Sequence, residues 1–126
     1  MISKQPDGQS QILIASAELL AAGGGELRLA GRMWFGREPL AGSPMPTGAS
    51  ISRDGGAILV RTYSAVFLFR REAGEPVTQA LARAPKILPS PREQQGESIS
   101  FAQNDTAFLT ISEGVKPELH CASLLP

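Results

Sequence analysis

A single cysteine in 126 residues, Cys121, excludes an internal disulfide and leaves no CxxC pair for metal or redox chemistry. A lone thiol of this kind is expected as a small buried hydrophobe. A single histidine, His120, restricts nucleophilic catalysis, because any serine or cysteine nucleophile must use that one base. Its neighbour Cys121 points to the opposite face of an extended strand, which disfavours a Cys–His pair. Charge of one sign is missing as well: 12 Lys and Arg balance 12 Asp and Glu with no block of either. The long-range pull on phosphate backbones or anionic lipid is therefore absent, and no nucleic-acid partner is expected. No apolar run reaches the roughly 20 residues of a membrane helix, so no membrane partner is expected either. The stretch "ILIASAELLAAGGG" is interrupted by Glu18 and preceded by one basic residue, Lys4. It does not read as a signal peptide, and a cytoplasmic location is the default.

Glycine (13) and proline (10) are plentiful, and they fall between short apolar runs as turn punctuation. The runs are rich in branched and aromatic residues and read as nine strands: 11–16, 26–33, 49–52, 57–63, 65–69, 86–88, 97–101, 107–112 and 118–123. Asp54-Gly55-Gly56 closes a hairpin, since glycine accepts positive φ and the aspartate bonds its own backbone. Gln103 to Thr106 is a looser turn of the same kind. "AVFLF" at 65–69 is apolar on both faces, the pattern of a strand buried between two sheets. Only "EPVTQALARAP" reads as helix, with Val77, Ala80, Leu81 and Ala84 at helical spacing between Pro76 and Pro85. "SAELLAAGGG" is a shorter analogue capped by Ser16.

The segment "TGASISRDGGAILVRTYSAVFLF" is echoed by "QGESISFAQNDTAFLTIS". Placing Gly48 on Gly96 aligns Ser50-Ile51-Ser52 with Ser98-Ile99-Ser100, and a two-residue turn insertion then brings Ala57-Ile58-Leu59 onto Ala107-Phe108-Leu109. Sheet units recurring every 40–50 residues or so are the signature of β-propeller blades. The fold expected is all-β and β-propeller-like, one module over 1–126: a partial blade at 10–46 formed by two outer strands, a full four-stranded blade at 47–90, and a partial blade at 95–126. A β-sandwich meander of nine strands is the alternative. About two blades make an incomplete ring, because closure needs at least four. Self-association or other propeller blades are the partners this implies, and three two-blade subunits would complete a six-bladed ring. The proline-rich loop at 36–48 reads as a connector between blades, and Trp34 and Phe35 before it read as packing aromatics.

"TGASISRDGG", "VRTYS", "QGESISF" and "SEG", in this order, resemble the last blades of bacterial WD40/TolB-like β-propeller proteins of the esterase-like phytase type. Ser50 stands where that pattern has aspartate and Arg53 where it has proline. The resemblance implies a propeller fold without a defined catalytic set.

Polar residues at the ends of equivalent strands are the candidate ligand-binding set: Arg61, Tyr63, Gln95, Glu97 and Glu113. Strand ends of this kind line the channel or its mouth, where ligands bind. The same residues can instead be structural, with Arg61 paired to Glu97 or Glu113 and the Tyr63 hydroxyl satisfied. No catalytic residue, metal site or cofactor is read: "GASIS" lacks the second glycine of a nucleophile elbow, and "GGGE" precedes a strand without a Lys-Ser/Thr pair. The function expected is a non-enzymatic binding or assembly module. The alternative is a fragment of a hydrolase-like propeller that binds a metal or phosphorylated ligand through Arg61, Glu97 and Glu113.

Overall fold

The computed structural model describes residues 1–35 and 43–124. Most of the loop read as an inter-blade connector, 36–42, lies outside the described residues. The elements run β1 (Gln9–Ile14), α1 (Ala17–Ala21), β2 (Arg28–Trp34), β3 (Pro46–Ile51), β4 (Ala57–Thr62), β5 (Val66–Arg70), α2 (Val77–Leu81), β6 (Lys86–Leu88), β7 (Gly96–Phe101), β8 (Ala107–Ser112) and β9 (Leu119–Ser123). Ser16 caps α1, its Oγ accepting from Leu19 N at 3.1 Å. The chain is all-β apart from the two short helices, and every strand pairing is antiparallel.

Three sheets result: β1-β2 (sheet A), β3-β4-β5-β6 (sheet B) and β7-β8-β9 (sheet C). Residues 1–3 add a third rung to sheet A, with Ile2 bridging Ile12 and Ser3 N donating to Gln11 O at 2.9 Å. Sheet B is the middle layer. One face, through Ile58, Val60, Phe67 and Phe69, packs on Ile12 and Met33 of sheet A and on Ala80 and Leu81 of α2. The other, through Leu59, Val66, Leu68 and Leu88, packs on Ile99 and Phe108 of sheet C. Every residue of β4 is therefore buried, which is why its alternation is impure. Burying a side chain such as Leu59, Val60 or Val66, each fully inaccessible, stabilises by about 1.5–3 kcal/mol.

The two hairpins β3-β4 and β7-β8 share one register. Ile51 pairs with Ile58 and Phe101 with Phe108, and each inner strand has a bulge near its start, between Pro46 and Gly48 or between Gly96 and Ser98. Their turns are equal in length and bonding: Gly55 N donates to Ser52 O as Asp105 N donates to Ala102 O. The insertion read between them is thus absent. The offset is 50 throughout both hairpins, so Gly48 matches Ser98 and Gly96 matches Pro46.

The two glycines have different physical causes. A Cβ on Gly48 would lie 3.2 Å from Ile99 N and 3.3 Å from Glu97 O, so Gly48 lets β3 approach the backbone of β7. Gly96 makes room for a side chain, described below. Direct ties join the same strands and their turns: Thr47 Oγ1 donates to Gly96 O at 2.7 Å, Phe101 N donates to Ser50 Oγ at 3.3 Å, and, between the turns, Arg53 N donates to Asp105 Oδ2 at 2.8 Å.

Two burial expectations fail. Cys121 is exposed, because it lies on the outer face of sheet C where no described element covers it. Trp34 is 53% exposed on sheet A, whereas Phe35 does pack, 5.1 Å from the Phe67 ring. Among the described residues no helix is long and apolar enough to cross a membrane.

Candidate functional site

The end of the stack where β3 and β7 begin gathers most of the polar chemistry. Beyond the last residue of β4, Tyr63 reaches Glu97, the bulged residue of β7. Its hydroxyl donates to Glu97 Oε1 in a short hydrogen bond. Lys4 closes the group from the N-terminal segment: Nζ donates to the Tyr63 hydroxyl at 2.6 Å and to both Glu97 oxygens at 3.1 and 3.3 Å. It also lies 4.7 Å from the centroid of the Tyr63 ring.

The groups of this cluster favour one another's ionised forms. The Tyr63 hydrogen bond holds the Glu97 carboxyl below its ordinary value near 4.5, with Lys4 adding to it against some desolvation. The Tyr63 hydroxyl and then Glu97 raise the Lys4 ammonium above 10.5. A general acid or base needs a pKa near the working pH. Both groups move the other way. Beside them a groove of about 300 Å³ runs between Met1, Ile2 and Lys4 and residues 46–49 of β3.

Arg61 belongs to a separate, closed site. Its side chain is 3% exposed and Nη2 lies 3.1 Å from Oε2 of Glu93, which is 1% exposed. Thr110 Oγ1 donates to the other Glu93 oxygen at 2.5 Å, and Arg61 Nη1 donates to Ser98 O at 3.4 Å. The guanidinium fills the space above Gly96, where a Cβ would stand only 1.7 Å from Nη2. Two buried charges are tolerated at this depth only when paired and hydrogen-bonded. The group therefore acts as a pin between sheets B and C.

The structure accordingly divides the candidate residues. Tyr63 and Glu97 come together, and Gln95 adds the smallest contribution to the lowering of the Glu97 carboxyl pKa. Glu113 is exposed on the loop to β9 and meets this region through its backbone N–H, which donates to Gln95 O at 2.8 Å. Arg61 pairs with neither Glu97 nor Glu113. Its partner is Glu93, whose position in the irregular "PSPREQQG" segment carries no periodic signal. Lys4 was hidden for a different reason: a lysine near a chain start reads as solvated surface.

At the opposite end, the β3-β4 and β7-β8 turns frame a cleft of about 200 Å³ lined by Asp54, Arg70, Phe101 and Asp105. Ser52 Oγ donates to Asp54 Oδ1 at 2.7 Å and Gly56 N donates to the same oxygen at 2.8 Å. These two bonds, the serine's first, lower the Asp54 pKa below 3.8. Both carboxylates are engaged in turn and inter-sheet bonds. Among the described residues no three His, Cys, Asp or Glu side chains converge as metal ligands.

Comparison with protein-family models, with curated proteins and with solved structures finds no match.

Proposed function

We propose that the chain is a non-enzymatic, β-propeller-type module that works by stacking, presenting blade-like sheets to further sheets of the same kind. One observation carries this reading. Sheet B is buried on both faces by flanking sheets, and its inner hairpin shares register, bulge and turn bonding with that of sheet C. Units that pack this way bury a continuous core by adding neighbours. The polar groups support the same reading, since Arg61 is consumed in a buried pin and the Lys4 and Glu97 pKa values move away from neutrality.

Thermal melting in the presence of calcium, phosphate or a phosphomonoester tests it. The stacking reading expects no shift beyond the ionic-strength control and no hydrolysis of the ester. A rise in melting temperature that disappears in Glu97→Ala would replace it with the ligand-binding fragment of a hydrolase-like propeller.

A further inference from the structure

We infer that the Arg61–Glu93 pair is a selector: it makes sheet C stack on sheet B of its own chain and refuse the equivalent face of a second copy. This rests on the stacking reading above and names what decides which sheet follows which. The repeat itself creates the need for a selector. By register, Leu109, Ile111, Leu119 and Cys121 on the outer face of sheet C match Leu59, Arg61, Val66 and Leu68 on the face of sheet B that sheet C covers. Apart from position 61, the matched residues are apolar on both faces. Apolar contact is non-directional, so it separates the two faces poorly. Position 61 separates them outright, with arginine on sheet B and isoleucine at the matching place on sheet C.

The receiving side is equally particular. On the face that sheet C turns toward sheet B, Thr110 donates to Glu93 and Gly96 leaves the space that the guanidinium fills. The residues matched to these two in sheet B are Val60 and Pro46, which bring neither a hydroxyl nor a missing side chain. Ile12, Met33, Val60 and Phe67 close the seam between sheets A and B with apolar contacts. Among the described residues, a buried arginine facing a buried carboxylate therefore occurs at the B–C seam and not at the A–B seam.

Energetics separate selection from stabilisation. Replacing a buried ion pair by well-packed apolar groups is often neutral, whereas leaving one partner without the other is strongly destabilising. The protein satisfies this pair incompletely: among the described residues Arg61 Nε has no hydrogen-bond partner, and Glu93 Oε2 meets Nη2 at 3.1 Å without hydrogen-bond geometry. Its force is felt in the wrong complex. Seated on Ile111 of another chain, sheet C would bury the Glu93 carboxylate, 1% exposed, against hydrocarbon with no countercharge. Specificity of this kind comes from what the wrong partner leaves unpaired.

The triple variant Arg61→Met, Glu93→Leu, Thr110→Val removes arginine, carboxylate and hydroxyl together, and comparing it with the parent and with Arg61→Met alone tests the inference. Ile99 and Phe108 line the B–C seam, so their amide signals in NMR spectra count the ways in which it forms. The parent is expected to give one signal for each at every concentration. The triple variant is expected to keep a urea midpoint no lower than the parent's, while Arg61→Met alone, with Glu93 left unpaired, falls. In the triple variant a second signal for each residue should grow with concentration, alongside species above 13.3 kDa in sedimentation equilibrium, as sheet C of one chain seats on sheet C of another. One signal per residue at every concentration in the triple variant overturns the selection and leaves the stacking reading, which the ion and ester melts decide, untouched. A triple variant that fails to fold, or whose midpoint falls as far as that of Arg61→Met, also overturns it, because the pair then holds the seam by its own strength. Two signals in the parent overturn it as well.

Discussion

Replacing Gly96 by alanine isolates the buried pin between sheets B and C. Gly96 has no positive φ to defend; its role is space. The new Cβ would stand 1.7 Å from Nη2, 2.2 Å from Cζ and 2.5 Å from Nε of Arg61, inside any tolerable contact, so the guanidinium must leave. Its departure strips Glu93, 1% exposed, of its countercharge. Breaking a buried pair by removing one partner costs about 3–5 kcal/mol. Against a total stability of about 5–15 kcal/mol for a domain, that is a large share. The urea midpoint is expected to fall by on the order of 2 M, since the denaturant slope is about 1–3 kcal/mol per molar. The same alanine is then introduced beside Arg61→Leu and Glu93→Gln, which leaves the Thr110 hydroxyl an acceptor. With the guanidinium gone, its cost is expected to drop below about 1 kcal/mol, and the difference is the coupling energy. Equal costs in the two backgrounds would refute the reasoning, because the glycine would then be required by something other than Arg61.

Three further outcomes are expected. Phe108→Ala, at a residue 1% exposed between sheets B and C, lowers unfolding free energy by about 3–5 kcal/mol in the same urea assay. Ser52→Ala takes the acceptor from the buried Ala57 N, bonded at 2.9 Å, for a loss of about 1–3 kcal/mol, and it also takes the donor from exposed Asp54. Asp54 is depressed in the folded state, so its contribution is present above about 3.8 and disappears as pH falls through its folded value; the gap between the two stability curves narrows in acid without closing, because the Ala57 N–H stays unpaired. For the Lys4–Tyr63–Glu97 cluster, Glu97 contributes stability above 4.5 that is lost on acidification through its lowered pKa. Lys4 contributes below 10.5 and is lost as pH rises through its raised pKa. NMR titration of Glu97 in Tyr63→Phe is expected to return the carboxyl toward its ordinary value.

Strands and turns were legible because their signals are local. Asp54-Gly55-Gly56 forms the turn its residue types demand, with Gly55 at φ +73° and Asp54 bonded to Gly56 N. The double-sided apolarity of residues 65–69 marked the middle sheet, and the strand ends brought Tyr63 to Glu97. Phase was harder. Gly48 and Gly96 invited alignment as identical letters, yet one admits a neighbouring backbone and the other a guanidinium. Glu93 and Lys4 lie in irregular segments, where pairing depends on tertiary placement and leaves no spacing to read. Cys121 and Trp34 have the residue types of a core, but exposure follows from a layer's place in the stack, which no local pattern encodes.

The hydroxyls of Thr47 and Ser50 have a consequence for how the chain behaves when crowded. They occupy the Gly96 carbonyl and the Phe101 amide, two groups on the margin of β7 that a stray strand from another molecule would otherwise use as a template. Thr47→Val with Ser50→Ala would unmask that margin, and the harm would surface as turbidity on refolding at high concentration.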